Sequence, residues 1–153
     1  MLKPELTVAA IVERNGRFLM VEETVGGRLV LNQPAGHVEP GETPLAAVVR
    51  ETREETAWRL HPSHLVGVYL WPVPNASTHI LRLVFCGHVD DHDEHQTLDD
   101  GIHSTHWLDY RGLTAQGRKL RSPLVLRGLD DYLGGRRLPL SAIQHLPPTD
   151  NQE

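Results

Sequence analysis

The apolar and polar positions divide the chain into short strands and a few helices. Leu6 to Val12 is mostly apolar and rich in β-branched residues, so it predicts a buried strand. Asn15-Gly16 predicts a tight hairpin turn, and Arg17 to Glu22 the returning strand, packing through Phe18 and Met20. Gly26-Gly27 marks a further turn before a short strand at Leu29-Val30-Leu31. Pro34, Gly36, Pro40 and Gly41 punctuate Asn32 to Gly41 as a loop. Thr43-Pro44 then opens a helix with Thr43 as N-cap and Pro44 at the first helical position. Leu45, Val48, Val49 and Thr52 recur at helical spacing and form its core stripe, and the helix fades near Ala57-Trp58.

Leu65 to Trp71 and Ile80 to Val89 predict strands joined by a loop from Pro72 to Thr78. Asp90 to Asp100 is acidic and His-rich, which predicts a solvated loop. Thr105 to Leu108 predicts a short strand, followed by helices over Asp109 to Ala115 and Ser122 to Leu133. This order predicts an α/β fold in which helices cover a mixed sheet. One domain over residues 1–146 is expected, with a frayed tail over 147–153 that contains Pro147-Pro148.

Charge narrows the choice of partner. A net charge of −5 leaves no basic field for a nucleic-acid polymer, so an anionic ligand must be held locally by a metal or a few placed cations. No apolar run reaches the ~20 residues that span a bilayer, so no membrane partner is expected. Met1 to Glu5 lacks the apolar core of a signal peptide, and the cytoplasm is the expected location. The single cysteine, Cys86, sits in an apolar run and is read as core packing. The histidines 88, 92, 95, 103 and 106 lack a fixed ligand spacing, so no transition-metal site is expected from them.

The helix carries the chemistry. Glu51, Glu54 and Glu55 stand at i, i+3 and i+4 and share one face beside the apolar stripe. Carboxylates this close repel one another, and only a cation offsets that repulsion. Arg50 and Arg53 supply part of the charge, and a hard divalent ion bound by oxygen would supply more. Such an ion bridges phosphate oxygens and acidifies a bound water, whose proton a neighbouring carboxylate can take.

Gly36, five residues, Glu42, seven residues, then Arg50-Glu51-Thr52-Arg53-Glu54-Glu55 resembles the Nudix box. Thr52 replaces a bulky aliphatic residue of that pattern, and Ala57 replaces a glycine that tolerates positive φ at the helix end. The resemblance implies the Nudix α/β/α sandwich, with a mixed sheet and the box as loop–helix–loop. It implies Mg²⁺, or Mn²⁺, as cofactor. It further implies Glu54 and Glu55 as metal ligands, Glu51 as ligand or base, Glu42 as an orienting group, and Arg50 as a partner that fixes a glutamate rotamer. The carbonyl of Ala35 or Gly36 completes the coordination on the same analogy. Some members take their base from a downstream loop, for which Asp99 and Asp100 are the candidates.

Flanking segments also match. Lys3-Pro4, Val21 to Thr24, Asn32 to His37 and Leu120 to Val125 resemble the NudJ-type phosphatase branch of the family. That branch hydrolyses hydroxymethylpyrimidine pyrophosphate, thiamine pyrophosphate and nucleoside di- and triphosphates, releasing phosphate. The expected partner is therefore a small diphosphate or nucleotide, with a monomer or homodimer as the assembly. A pyrophosphatase acting on ADP-ribose, a dinucleotide or a nucleotide sugar is the second expectation. A non-catalytic sensing module is the third, and the retention of all four box glutamates argues against it.

Around the box, Asn32, Gln33 and His37 either touch substrate or hold the loop. Trp71 and Tyr69 either stack on a ring or pack in the sheet. Arg121 either grips a phosphate as a bidentate fork or pairs near a helix start.

Overall fold

A computed structural model describes residues 1–149. Seven strands form the sheet: β1 (Glu5–Arg14), β2 (Arg17–Val25), β3 (Arg28–Asn32), β4 (Ala35–His37), β5 (Arg59–Pro72), β6 (His79–Asp90) and β7 (Ile102–Asp109). Three α-helices accompany them: α1 (Pro44–Thr56), α2 (Tyr110–Thr114) and α3 (Leu124–Leu133). The main path is β3-β2-β1-β6-β5, with β4 pairing on β1 and β7 on β2. β1 runs parallel to β6 from Glu5↔Ile80 to Val12↔Gly87, and the other pairs are antiparallel, so the sheet is mixed as expected.

β1 reads as a continuous apolar run because both of its faces are buried. Val8, Ala10 and Val12 join Ala47 and Val48 of α1 in one core, with Leu65, Leu83 and Phe85. Ala9 and Ile11 face the other way, into a second core with Val125 and Leu129 of α3. The sheet thus lies between helices on its two faces. Cys86 is buried and free in the second core.

The structure departs from the pattern reading where polar residues mask regular backbone. Ala35–His37, expected as loop, is a short strand whose register on β1 is Thr7↔His37 to Ala9↔Ala35. β5 starts at Arg59, six residues before the predicted strand, and irregular register near Pro62 and His64 hides that half. β7 begins at Ile102 rather than Thr105. α3 begins at Leu124, because the Ser122 hydroxyl accepts the Leu124 N–H outside the helix. The expected tail over 147–153 falls partly on residues 150–153, which lie outside the described residues.

Candidate active site

α1 presents the acidic residues, and its two ends are fixed in different ways. At the start, Thr43 Oγ1 accepts the Ala46 N–H at 3.1 Å, with Pro44 occupying the first turn. Thr52 is fully buried and donates its hydroxyl to the Val48 carbonyl at 2.7 Å. That internal bond lets a polar residue stand where the family pattern has an aliphatic one.

At the far end, Ala57 holds φ 61° and ψ 10°, the left-handed conformation that glycine adopts freely. Surrounding bonds over-determine the strained exit. The Ala57 N–H donates to Arg53 O at 2.9 Å, and the Ala57 carbonyl accepts from Asp93 N–H and from Arg53 Nη1.

The acidic loop is not simply solvated. Helix ends leave carbonyls without partners, and here the loop supplies them. Asp99 N–H donates to Glu54 O at 3.0 Å, and Gln96 Nε2 adds a second donor to Arg53 O at 2.6 Å. These bonds carry Asp99 to the box helix. One oxygen each of Glu51, Glu54 and Asp99 lies within 4.8 Å of the others. Asp100, the other downstream candidate, is exposed and outside this group.

Arg50 is the hub of the cluster. Glu42 accepts a fork from it, Nη2 to Oε1 at 2.7 Å and Nε to Oε2 at 3.0 Å. Arg50 Nη1 donates to Glu51 Oε1 at 2.9 Å and to Glu54 Oε2 at 3.1 Å, while Nη2 also reaches the His37 carbonyl. The hydrogen bond from Arg50 holds the Glu42 carboxyl below its ordinary value. Burial pushes Glu51 above its ordinary value, against the opposing pull of Arg50.

Gly36 fits for a steric reason. A Cβ built there would lie 2.1 Å from the Glu51 carboxylate, so any larger residue would push that carboxylate out of its place in the cluster. Glu55 stands apart from the group of three. It is buried, accepts the Ala35 N–H at 2.8 Å, and burial raises its carboxyl to about 8. The three convergent carboxylates are hard oxygen donors that suit a divalent cation, and Arg50 alone leaves their summed charge uncompensated.

A cleft of about 240 Å³ opens beside the cluster at Ala35 and Gly36. Asn32, Trp71, Ile80, Arg82 and Arg121 line it. Among the sequence candidates, Asn32, His37, Trp71 and Arg121 reach this cleft, whereas Gln33 and Tyr69 do not line it. Gln33 lies in the interior with both ends of its amide used: Nε2 donates to Val125 O at 2.9 Å and Oε1 accepts from Arg82 at 2.6 Å. Tyr69 donates its hydroxyl to Asp131 at 2.7 Å. His37 sits at the rim, paired with Glu5 at 2.9 Å. Arg121 is partly exposed, with Nε 3.9 Å from Glu23. Pattern reading missed Arg82 and Glu23. A lone arginine in the apolar run Ile80 to Cys86 was the available signal for Arg82.

The NUDIX domain family matches residues 3–127. "Phosphatase NudJ" of Escherichia coli (strain K12) is 38% identical over 143 residues, covering 94% of this chain and 92% of that protein. The structure of a "NUDIX hydrolase from Nitrosomonas europaea" superposes with a TM-score of 0.92 at 40% identity, covering 94% of this chain and 98% of the other. The crystal structure of a UDP-X diphosphatase shares the fold at a TM-score of 0.72 and 18% identity, covering 91% of this chain and 67% of that one. Among the described residues, no helix is long and apolar enough to cross a membrane.

Proposed function

Because the chain belongs to the Nudix family and is a hydrolase of its phosphatase and pyrophosphatase kind, we propose that it removes the terminal phosphate from a small pyrophosphate ester. The substrate class is a thiamine-precursor pyrophosphate, such as hydroxymethylpyrimidine pyrophosphate, or a nucleoside di- or triphosphate. The convergence of Glu51, Glu54 and Asp99 next to the cleft carries this reading.

Glu54 and Asp99 would hold a Mg²⁺ or Mn²⁺ ion, together with Glu55 and the Gly36 carbonyl. When bound, the ion supplies positive charge to the phosphate oxygens and lowers the pKa of water. Glu51 receives the proton of the attacking water, a role that its half-buried, more basic carboxylate suits. Arg50 holds the side chains of Glu51 and Glu54 in position, and Glu42 fixes Arg50 in turn. Trp71 and Arg121 bind the organic part and its retained phosphate.

A colorimetric phosphate assay on a substrate panel with Mg²⁺, Mn²⁺ or EDTA tests the proposal. Direct phosphate release from hydroxymethylpyrimidine pyrophosphate or a nucleoside diphosphate is expected, with no need for added pyrophosphatase and none of it in EDTA. Signal that appears only after adding pyrophosphatase would move the activity to the pyrophosphate-releasing class.

A further inference from the structure

Arg82 is a buried charge whose direct partners include no carboxylate. It lies in β6 between Leu81 and Leu83 and is 5% exposed. Its recorded partners are neutral amides: Nη2 donates to Gln33 Oε1 at 2.6 Å and to Asn32 Oδ1 at 3.2 Å. Among the described residues, its buried Nε has no hydrogen-bond partner, and no carboxylate comes within salt-bridge distance of the guanidinium. Burial and the neighbouring Arg121 lower its pKa to about 10, so it stays charged at neutral pH. Burying a charge without an opposite partner is costly, and a protein keeps such a group where a ligand completes it.

The cleft is where that ligand would sit. Arg82 and Arg121 both line it, with Ser122 beside them just before α3. Glu5 and Glu23 also line it, but His37 pairs with Glu5 and Arg121 lies by Glu23. Glu23 and Glu55 act on Arg82 only from a distance, so no carboxylate bonds to its guanidinium. Trp71 and Ile80 form apolar wall suited to a flat organic group. A neutral ring would give Arg82 acceptors but no opposite charge, whereas a phosphate gives both.

We propose that Arg82 forms the floor of a phosphate subsite that binds the phosphate remaining on the organic product, apart from the phosphate attacked at the α1 cluster. The assignment rests on the diphosphate substrate proposed above, but its test requires no turnover.

Cytidine monophosphate, cytidine and inorganic phosphate would be titrated into the full chain in EDTA by calorimetry. Cytidine monophosphate is expected to bind at least tenfold more tightly than either of the others. Arg82→Gln should weaken it by tenfold or more, and Arg82→Lys should recover part of that loss. Cytidine binding as tightly as its monophosphate, or losing the same factor in Arg82→Gln, would assign Arg82 to the ring and overturn the proposal. Inorganic phosphate binding more tightly than the monophosphate would overturn it as well.

A second measurement uses wild-type protein alone, in case removing the guanidinium unfolds the chain. With ¹⁵N-labelled arginine, the Arg82 Nε–H resonance should shift on adding cytidine monophosphate and not cytidine. A resonance indifferent to the monophosphate defeats the assignment. Because metal and hydrolysis are absent, failure here leaves the reaction proposal standing, and a dead enzyme that still binds the monophosphate leaves this one standing.

Discussion

The acidic edge of α1 and the floor of the cleft solve opposite electrostatic problems. On α1, carboxylates crowd together at a partly wet surface, and one arginine joins them through four separate side-chain bonds. On the cleft floor, a single arginine is sealed among neutral amides. The first region has an excess of negative charge that calls for a cation. The second has one positive charge that calls for an anion. A metal-assisted reaction on a diphosphate needs both, since one end of the substrate meets the cation and the other must be held while the bond breaks.

The largest effect that would separate the regions comes from Glu54→Gln. Turnover should fall by more than about 100-fold, the upper end for a group one step removed from a metal, while cytidine monophosphate binding in EDTA stays within twofold of wild type. Loss of both would mean the regions are one coupled network. Parallel steady-state kinetics and calorimetry decide the matter.

An intermediate effect distinguishes two adjacent aspartates. Asp99→Asn should lower kcat by more than about 10-fold, the lower end for a group one step removed from a metal, whereas Asp100→Asn should leave it within twofold, because of the two only Asp99 joins the carboxylate group. Equal losses in steady-state assays would remove Asp99 from the site.

The smallest effect lies behind the cleft, where Tyr69 pairs in register with Arg82 and donates to Asp131. The Tyr69 hydrogen bond holds the Asp131 carboxyl below its ordinary value of 3.8. The associated stability is therefore fully present above that value and fades as pH falls through the lower folded value. Asp131→Asn should remove that part of the acid-side slope while leaving kcat at neutral pH unchanged. Thermal melts across the acid range check it, and an unaltered slope would show that the bond contributes nothing.

The two regions also differed in how readable they were. Glu51, Glu54 and Glu55 were legible because helix periodicity alone places them on one face, and the spacing from Gly36 through Glu42 to Arg50 tied the loop to the helix. The central β1, β2 and β6 runs and the α1 cap were equally plain, since apolar runs and cap residues act locally.

Periodicity could not tell Glu55 from its neighbours. Its orientation depends on the Ala35 N–H of a three-residue strand hidden between prolines and glycines. Nor could it raise Asp99 above Asp100, because the choice is made by a backbone bond to Glu54 across the fold. The place of Gln33 beside the box leaves substrate contact and loop support equally open. Its burial and its bonds to Val125 and Arg82 are tertiary facts. Arg82 meets Asn32 and Gln33 only after β6 has paired on β1, some fifty residues from them along the chain.

That parallel pairing of β1 with β6 also governs how the molecule is made. Glu5 finds its partner at Ile80 and Val12 at Gly87, so the centre of the sheet joins segments synthesised far apart. Contacts of such long range are slow to form. An emerging chain must keep the apolar run Val8 to Val12 unpaired on that edge until residue 87 has left the ribosome. Nascent chains stopped before β6 would carry an exposed, β-prone segment with every tendency to self-associate.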